Sequence, residues 1–274
     1  MLKYLISFIF ITSLSCLGKG IASPLLEQMK SADNTKNVSV NYNLYAGGIK
    51  GVAVNINILW SNNHYQLTTT TKTEGVIGFL YPVVATYFTK GIVKDNQAYP
   101  EKYVATSISR GSEKVKELKY DKQGRVIERV NIKKGKEISR EVDDDMGKGS
   151  SLDYQSVLAM MLKRIDDGLD CNQTYTAFDG KRRYTMIFED LGIDSLEKTR
   201  YSDFEGKAKE CSLLVEPFNG DYPDNSWFWY RSGKDTKQKP MKFWTAKISG
   251  LTVPVRIEID SLGFGTIIAH MQKS

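Results

Sequence analysis

The sequence predicts a mainly β protein, an antiparallel sheet with one long helix packed on it. Three observations predict it. Alternating runs recur along the chain with turn residues between them; a single segment spaces its apolar residues at a helical period; and an Asp179-Gly180 hairpin signal lies between Cys171 and Cys211. A strand presents alternate residues to one face, whereas a helix repeats every three to four. The 274 residues are 41% hydrophobic and 26% charged, the balance of an ordinary globular chain. That length allows one large β domain or two small ones, with a core that needs neither a metal nor many disulfides.

The first residues bear on compartment. Lys3 is followed by an apolar run over 5–17, and Gly20-Ile21-Ala22 supplies the small residues of a signal-peptidase site. A cleaved signal peptide over 1–22 is expected, which places the mature protein in the periplasm. The run is too short for a good membrane span, so no transmembrane segment is expected in the mature chain. Cys16 offers a lipoprotein site as the alternative, but Ser13 stands where a branched apolar residue is wanted. Residues 1–22 hold two lysines and no acid, so their removal lowers the formal charge from +6 to +4. The surplus is scattered near turns, at Lys133-Lys134-Gly135-Lys136, Lys181-Arg182-Arg183 and the lysines at 234, 237 and 239. A nucleic-acid binder gathers its charge on one face with aromatics interleaved, so no nucleic-acid partner is expected.

After a lead segment over 23–38, in which residues 25–29 form one or two helical turns, a single β domain is expected over 39–274. Val40 to Tyr45 alternates. In the next run Val52, Val54, Ile56, Ile58 and Trp60 share one face, with Asn55 and Asn57 on the other. Ser61-Asn62-Asn63 makes a hairpin turn into the threonine-rich run of Tyr65, Leu67, Thr69 and Thr71. Residues 74–89 have no clean period and read as a short helix, a bent strand or a loop. Strands are predicted at 92–95 and 103–109, on either side of a turn at Pro100. A meander follows over 113–140, with turns at 121–124 and 134–136. Ser150 or Ser151 is placed to cap a helix running to Asp167 and stopping at Gly168. Leu152, Val157, Leu158, Met161, Leu162 and Ile165 form its buried stripe.

The cysteine-linked sheet comes next, its first two runs joined by Asp179-Gly180, where glycine supplies the positive φ of a tight turn. Cys171 and Cys211 lie too far apart for a redox C-x-x-C pair and in an oxidising compartment form a structural disulfide. Further strands are predicted around the aromatic run at 227–231 and over 241–248. A closing hairpin sets Val253, Val255, Ile257 and Ile259 on one face, Arg256 and Glu258 on the other, and returns over 266–271.

Chemistry-bearing motifs are missing. The two histidines, His64 and His270, lack the paired helical spacing of a zinc hydrolase, and there is no G-x-S-x-G elbow. Gly147-Lys148-Gly149-Ser150 lacks the upstream glycine of a P-loop. Asp143-Asp144-Asp145 lacks the alternate ligand spacing of a calcium loop. No catalytic residue, metal or cofactor is therefore expected.

The stretches YAGGIKG (45–51), FDGKRRY (178–184) and VPVRIEIDSLGFG (253–265), with the paired cysteines, resemble a proteobacterial family of exported proteins of unknown function, domain-of-unknown-function family 3108. The likeness covers nearly the whole mature chain. It implies that the antiparallel sheet is curled, an open barrel or β-spiral similar to periplasmic lipoprotein carriers. It also suggests a concave face able to hold an acyl chain or a lipidated peptide. Apolar residues on both strand faces, as at Leu59 and Ile187, fit such a groove. The expected function is a non-enzymatic envelope protein that binds a lipophilic ligand or lipidated peptide, its partners a lipid, a lipoprotein or another envelope protein. The alternative is an interaction or integrity factor of the cell envelope without a small ligand. The apolar stretch 76–88, carrying Ile77, Phe79, Leu80, Tyr81, Val83, Val84, Tyr87 and Phe88, is the candidate groove lining or lid; the competing reading is an irregular core segment.

Overall fold

The structure, a computed structural model, describes residues 35–133, 135–142, 152–180, 183–217, 239–261 and 265–272. The expected signal peptide with Cys16, the helical turns at 25–29, the acidic run at 143–145, the Ser150 and Ser151 caps and the aromatic run at 227–231 lie outside the described residues.

One antiparallel sheet of fourteen strands organises the molecule. Its first half is a meander of β1 (Thr35–Ala46), β2 (Ile49–Ser61), β3 (His64–Thr73), β4 (Val83–Lys94), β5 (Gln97–Ser109), β6 (Ser112–Tyr120), β7 (Val126–Lys133) and β8 (Lys136–Glu141). A short helix, α1 (Gly75–Leu80), joins β3 to β4. A longer one, α2 (Tyr154–Asp166), follows the first half. The second half is β9 (Gln173–Phe178), β10 (Arg183–Leu196), β11 (Gly206–Pro217), β12 (Met241–Ile248), β13 (Leu251–Ser261) and β14 (Gly265–Gln272). The spatial order runs from β8 back to β1, then β14 down to β9. Every neighbouring pair is consecutive in sequence except β1 with β14. The chain thus walks from the centre to one edge, crosses by α2, and walks back from the other edge.

The crossing explains the curl. Leu152, just before α2, pairs with Ala177 of the edge strand β9: Phe178 N–H donates to Leu152 O at 2.8 Å and Leu152 N–H to Thr176 O at 3.2 Å. The β9–β10 turn then meets the opposite arm. Lys116 Nζ donates to Asp179 O at 2.8 Å, and Arg129 Nη1 to Gly180 O at 2.7 Å. Phe178 is buried there with Tyr103, Leu118 and Val126. The two arms therefore touch through a turn and a small apolar cluster, without strand pairing between β8 and β9, and the sheet stays open. Gly180 has φ 88°, and a Cβ on it would stand 2.8 Å from the Leu118 side chain, so the close approach itself requires glycine.

The main core fills the space between α2 and the concave face. Val157, Met161 and Leu162 of the helix are buried with Ile58, Tyr65, Leu67, Phe188, Phe243 and Val253 from both halves of the sheet. Leu152, Val157, Met161 and Leu162 of the expected stripe are buried, and Leu158 and Ile165 are packed against the core. Cys171 and Cys211 form a disulfide with Cα atoms 6.1 Å apart, tying the entry to β9 onto β11.

Several elements differ from their sequence reading. The helix begins one turn later than a Ser150 or Ser151 cap implies, because Asp153 is the N-cap and its side chain accepts from Ser156 N–H. β1 opens at Thr35, inside the stretch read as a lead segment. Pro100 is not at a turn. β4 and β5 join through Asp95-Asn96, whose φ values of 51° and 58° are those of a tight primed hairpin. Pro100 sits within β5, where the register shifts opposite Gly91. A proline has no N–H for a ladder, so a bulge is where a strand tolerates it. Gly91 is required there, because a Cβ would lie 2.6 Å from both Tyr65 Oη and Tyr99 O. The stretch 74–89 resolves into α1 followed by β4, a helix and a strand in succession.

Candidate functional site: a cleft between the arms of the sheet

α2 lies against β3, β4, β5, β9 and β13, and leaves the space between the outer arms unfilled. A cavity of about 880 Å³ remains there. One wall is a single cross-strand row: Ile56 of β2 faces Thr69 of β3, then Tyr87 of β4, Ala105 of β5, Lys116 of β6 and Asn131 of β7. Each of these six lines the cavity. The pleat places alternate residues on one face, so a row of registered partners is a physical stripe across the sheet. The next row toward the strand ends runs Ala85, Ser107, Lys114 and Lys133, of which the last three also line it. The facing wall is mostly apolar: Met186 and Val215 are register partners, as are Leu213 and Met241, and Ile259 continues it, joined by Lys239, which is paired with Asp260 at 2.9 Å. Tyr154, Gln155 and Leu158 of α2 form the floor.

The cleft is thus two-sided, with methionine, leucine, valine and isoleucine on one wall and polar groups and lysines on the other. Burial raises the phenols of Tyr87, Tyr103 and Tyr154 above the ordinary tyrosine range, so they stay neutral hydroxyls. Gln155 ties the floor to the wall through Thr69 Oγ1, which donates to its Oε1 at 3.2 Å, and through its own Nε2, which donates to Tyr87 O at 3.3 Å.

Beneath the floor lies a buried polar knot. The fully buried Asp153 carboxylate accepts from Ser156 N–H (2.9 Å), Ser156 Oγ (2.7 Å), Thr89 Oγ1 (3.0 Å) and Tyr120 Oη (3.2 Å). Tyr65 Oη in turn donates to Ser156 Oγ at 2.8 Å. Burial raises the Asp153 pKa, and the hydrogen bonds only partly offset it. The knot pins the first turn of α2 to β3, β4 and β6. It contains no histidine, and its hydroxyls face the carboxylate, not the cleft.

Of the eight residues in the candidate lid, Tyr87 alone lines the cavity. Ile77, Phe79 and Leu80 lie on α1 and Tyr81 caps it. Val83, Val84 and Phe88 lie on β4. α1 has no buried residue, and Phe79 is 86% exposed. The irregular-core reading of this helix therefore gives way. Its sequence is apolar enough for a core, but Ile77 packs on Gly51 at the end of β2 and the rest points to solvent. Of the two residues read as second-face groove markers, Leu59 is buried and Ile187 half-buried; neither lines the cavity. His64 stands at the start of β3, and His270 on β14 is flanked by Tyr45 and Tyr201, each with its ring centre 6.0 Å away.

Sequence reasoning missed the charged wall: it placed Lys133 near a solvated turn and gave Lys114 and Lys116 no reading of their own. The signal was in the run EKVKELK (113–119), whose Glu113 and Glu117 alternate with Lys114 and Lys116 at period two. Among the described residues no cluster of histidine, cysteine and carboxylate side chains could hold a metal ion. No described helix is long and apolar enough to cross a membrane.

The geometry defines a class, a β protein whose open antiparallel sheet curls round one helix and keeps an unfilled, largely apolar cleft between its arms. Within that class the chain belongs to the family described as "Protein of unknown function (DUF3108)", whose model matches residues 41–272. It is similar to a solved "beta-barrel-like protein of domain of unknown function DUF1849" from Brucella abortus, with 10% identity and a TM-score of 0.43. That alignment covers 86% of this chain and 95% of the other. No curated protein matches the chain.

Proposed function

We propose that the protein is a non-enzymatic binding protein of the periplasm that holds a lipophilic molecule, a lipid or the acyl chain of a lipidated peptide, in the cleft between its arms. The observation that carries this reading is the cavity of about 880 Å³ with one wall of aliphatic side chains. Pockets for small organic ligands run from about 300 to 1,000 Å³ and are mostly apolar with a few polar groups. A packed interior leaves few voids larger than a water molecule. An oxidising compartment is consistent with the Cys171–Cys211 disulfide.

Mass spectrometry of lipids released from protein isolated from its native envelope tests the proposal, together with displacement of a fluorescent fatty acid. A stoichiometric lipid and saturable probe binding are expected. Protein that carries no lipid and binds no probe would overturn it. One observation favours a second reading, an envelope protein-interaction factor: Val76, Phe79 and Tyr81 of the α1 region are 67%, 86% and 64% exposed. Contiguous exposed apolar groups of this kind mark interaction surfaces. Cross-linking from position 79 in intact cells would then recover a protein partner while the cleft stays empty.

A further inference from the structure

The charged wall of the cleft specifies the kind of lipophile. On β6 and β7 the two faces of the sheet carry opposite charge. The convex face holds Glu117 and Glu128, paired with Lys102 at 3.2 Å and with Lys119 at 2.8 Å. The concave face of the same strands holds Lys114, Lys116, Arg129 and Lys133, and no acid. Lys116 and Arg129 are engaged by the carbonyls of Asp179 and Gly180. Lys114 and Lys133 are direct register partners on the rim of the cavity, and Lys133 is in turn the register partner of Lys136. Among the described residues none of these three lysines has a carboxylate within ion-pair distance.

Like charges directly opposite each other on adjacent strands are destabilising. Here three cations stand in one row, in a fold that has paired the cations on the other face of the same strands. An anion lying between them relieves the repulsion and gains charge-assisted hydrogen bonds from the ammonium groups. The aliphatic wall of Met186, Leu213, Val215, Met241 and Ile259 shares the cavity with Lys114 and Lys133. One molecule that reaches both walls must carry an anionic head and an apolar tail.

We propose that the cleft takes an anionic amphiphile, its carboxylate or phosphate head on Lys114 and Lys133 and its chain along the aliphatic wall. This rests on the lipophile reading above, so the test must separate the two. Titration calorimetry compares palmitate with hexadecanol, which has the same chain without the charge, at a mildly alkaline pH and at low and high salt. The wild type binds palmitate at least about tenfold more tightly than the alcohol. That preference shrinks in high salt, because exposed charges are screened. In the Lys114→Gln/Lys133→Gln variant the preference disappears while hexadecanol binds as before.

Equal wild-type affinity for acid and alcohol would overturn the head-group assignment and leave the lipophile reading standing; this arm needs no variant, so a misfolded one cannot obscure it. A double variant that keeps the preference would overturn it as well. Displacement of palmitate by inorganic phosphate alone would make the lysine row a site for a free anion and refute the amphiphile. A wild type that binds neither palmitate nor hexadecanol would remove both the lipophile reading and this inference.

Discussion

Replacing Asp153 tests how the cleft's floor is held. The side chain does two jobs at once. It caps α2 through Ser156 N–H, and it accepts the hydroxyls of Ser156, Thr89 and Tyr120 in a fully buried position. Truncation to alanine removes the cap, which costs about 0.5–2 kcal/mol. It also strands buried donors, at about 1–3 kcal/mol for a group left unsatisfied. Thr89 Oγ1 can still donate to Lys102 O at 3.3 Å, and Ser156 Oγ can donate to Thr89 Oγ1 at 3.2 Å, so the Tyr120 hydroxyl is the donor most exposed to this loss. Asp153→Ala should therefore lose about 2–4 kcal/mol, which lowers the melting temperature by roughly 4–16 °C for a domain of this size. Asp153→Asn keeps an oxygen for Ser156 N–H and offers its amide to hydroxyls that can rotate to accept, so its cost at neutral pH should be under about 1 kcal/mol.

The pH dependence carries a sign. Burial raises the Asp153 pKa above its ordinary 3.8, so at intermediate pH the folded chain keeps a proton that the unfolded chain has released. The carboxyl's stabilising contribution is fully present below 3.8 and is lost as pH rises through the folded value. Urea denaturation of wild type and both variants across that range measures it. An alanine variant within about 0.5 kcal/mol of wild type, or a wild-type-minus-asparagine difference that does not change with pH, would refute the reasoning.

Cys171→Ser opens a link across 40 residues, and the chain-entropy estimate puts the loss at about 4 kcal/mol; a non-reduced protein with two titratable thiols would contradict the bridge. Phe79→Ala should change stability by less than about 0.5 kcal/mol, because the ring is 86% exposed; a loss of 3 kcal/mol or more would mean that α1 is covered. Burial and the neighbouring Arg256 charge lower the His270 pKa below 6.5, so the unfolded chain takes up the proton first and stability falls as pH drops through 6.5 toward the folded value. His270→Asn should flatten that part of the wild-type stability profile, and a profile unchanged by the substitution would remove His270 as its cause.

Strand identity was legible wherever one face is buried. Ile56, Ile58 and Trp60 alternate because β2 packs against the core on one side, and that requirement is written directly into the residues. The hairpin at Asp179-Gly180 was legible for a local reason, since Gly180 takes the positive φ, 88°, that a tight turn requires. Positions where a tertiary contact overrides local preference were not. Pro100 looks like a turn residue in isolation, and only the bulge opposite Gly91 makes it a strand residue. Val76, Phe79 and Tyr81 look like core, and nothing local records that no described element covers them. The cleft was the least legible part, because it is assembled from registers between strands distant in sequence. Lys116 and Met186 belong to opposite walls, and their shared cavity depends on how far the sheet curls.

That curl follows from connectivity. A meander that begins at the centre of the sheet and reaches one edge must cross to the other edge to continue, and α2 makes the crossing over the concave face. The helix is 13 residues long, about 20 Å at 1.5 Å per residue. It fills the centre, where Val157 and Met161 are fully buried. It cannot also fill the space beside the outer arms, and the β9–β10 turn reaches across only far enough to dock Phe178. Strand pairing between β8 and β9 would have closed a barrel around α2. Docking through a turn leaves the Lys114–Lys133 rim and the aliphatic wall facing each other across open space, so the topology that leaves the sheet unclosed also produces the cleft.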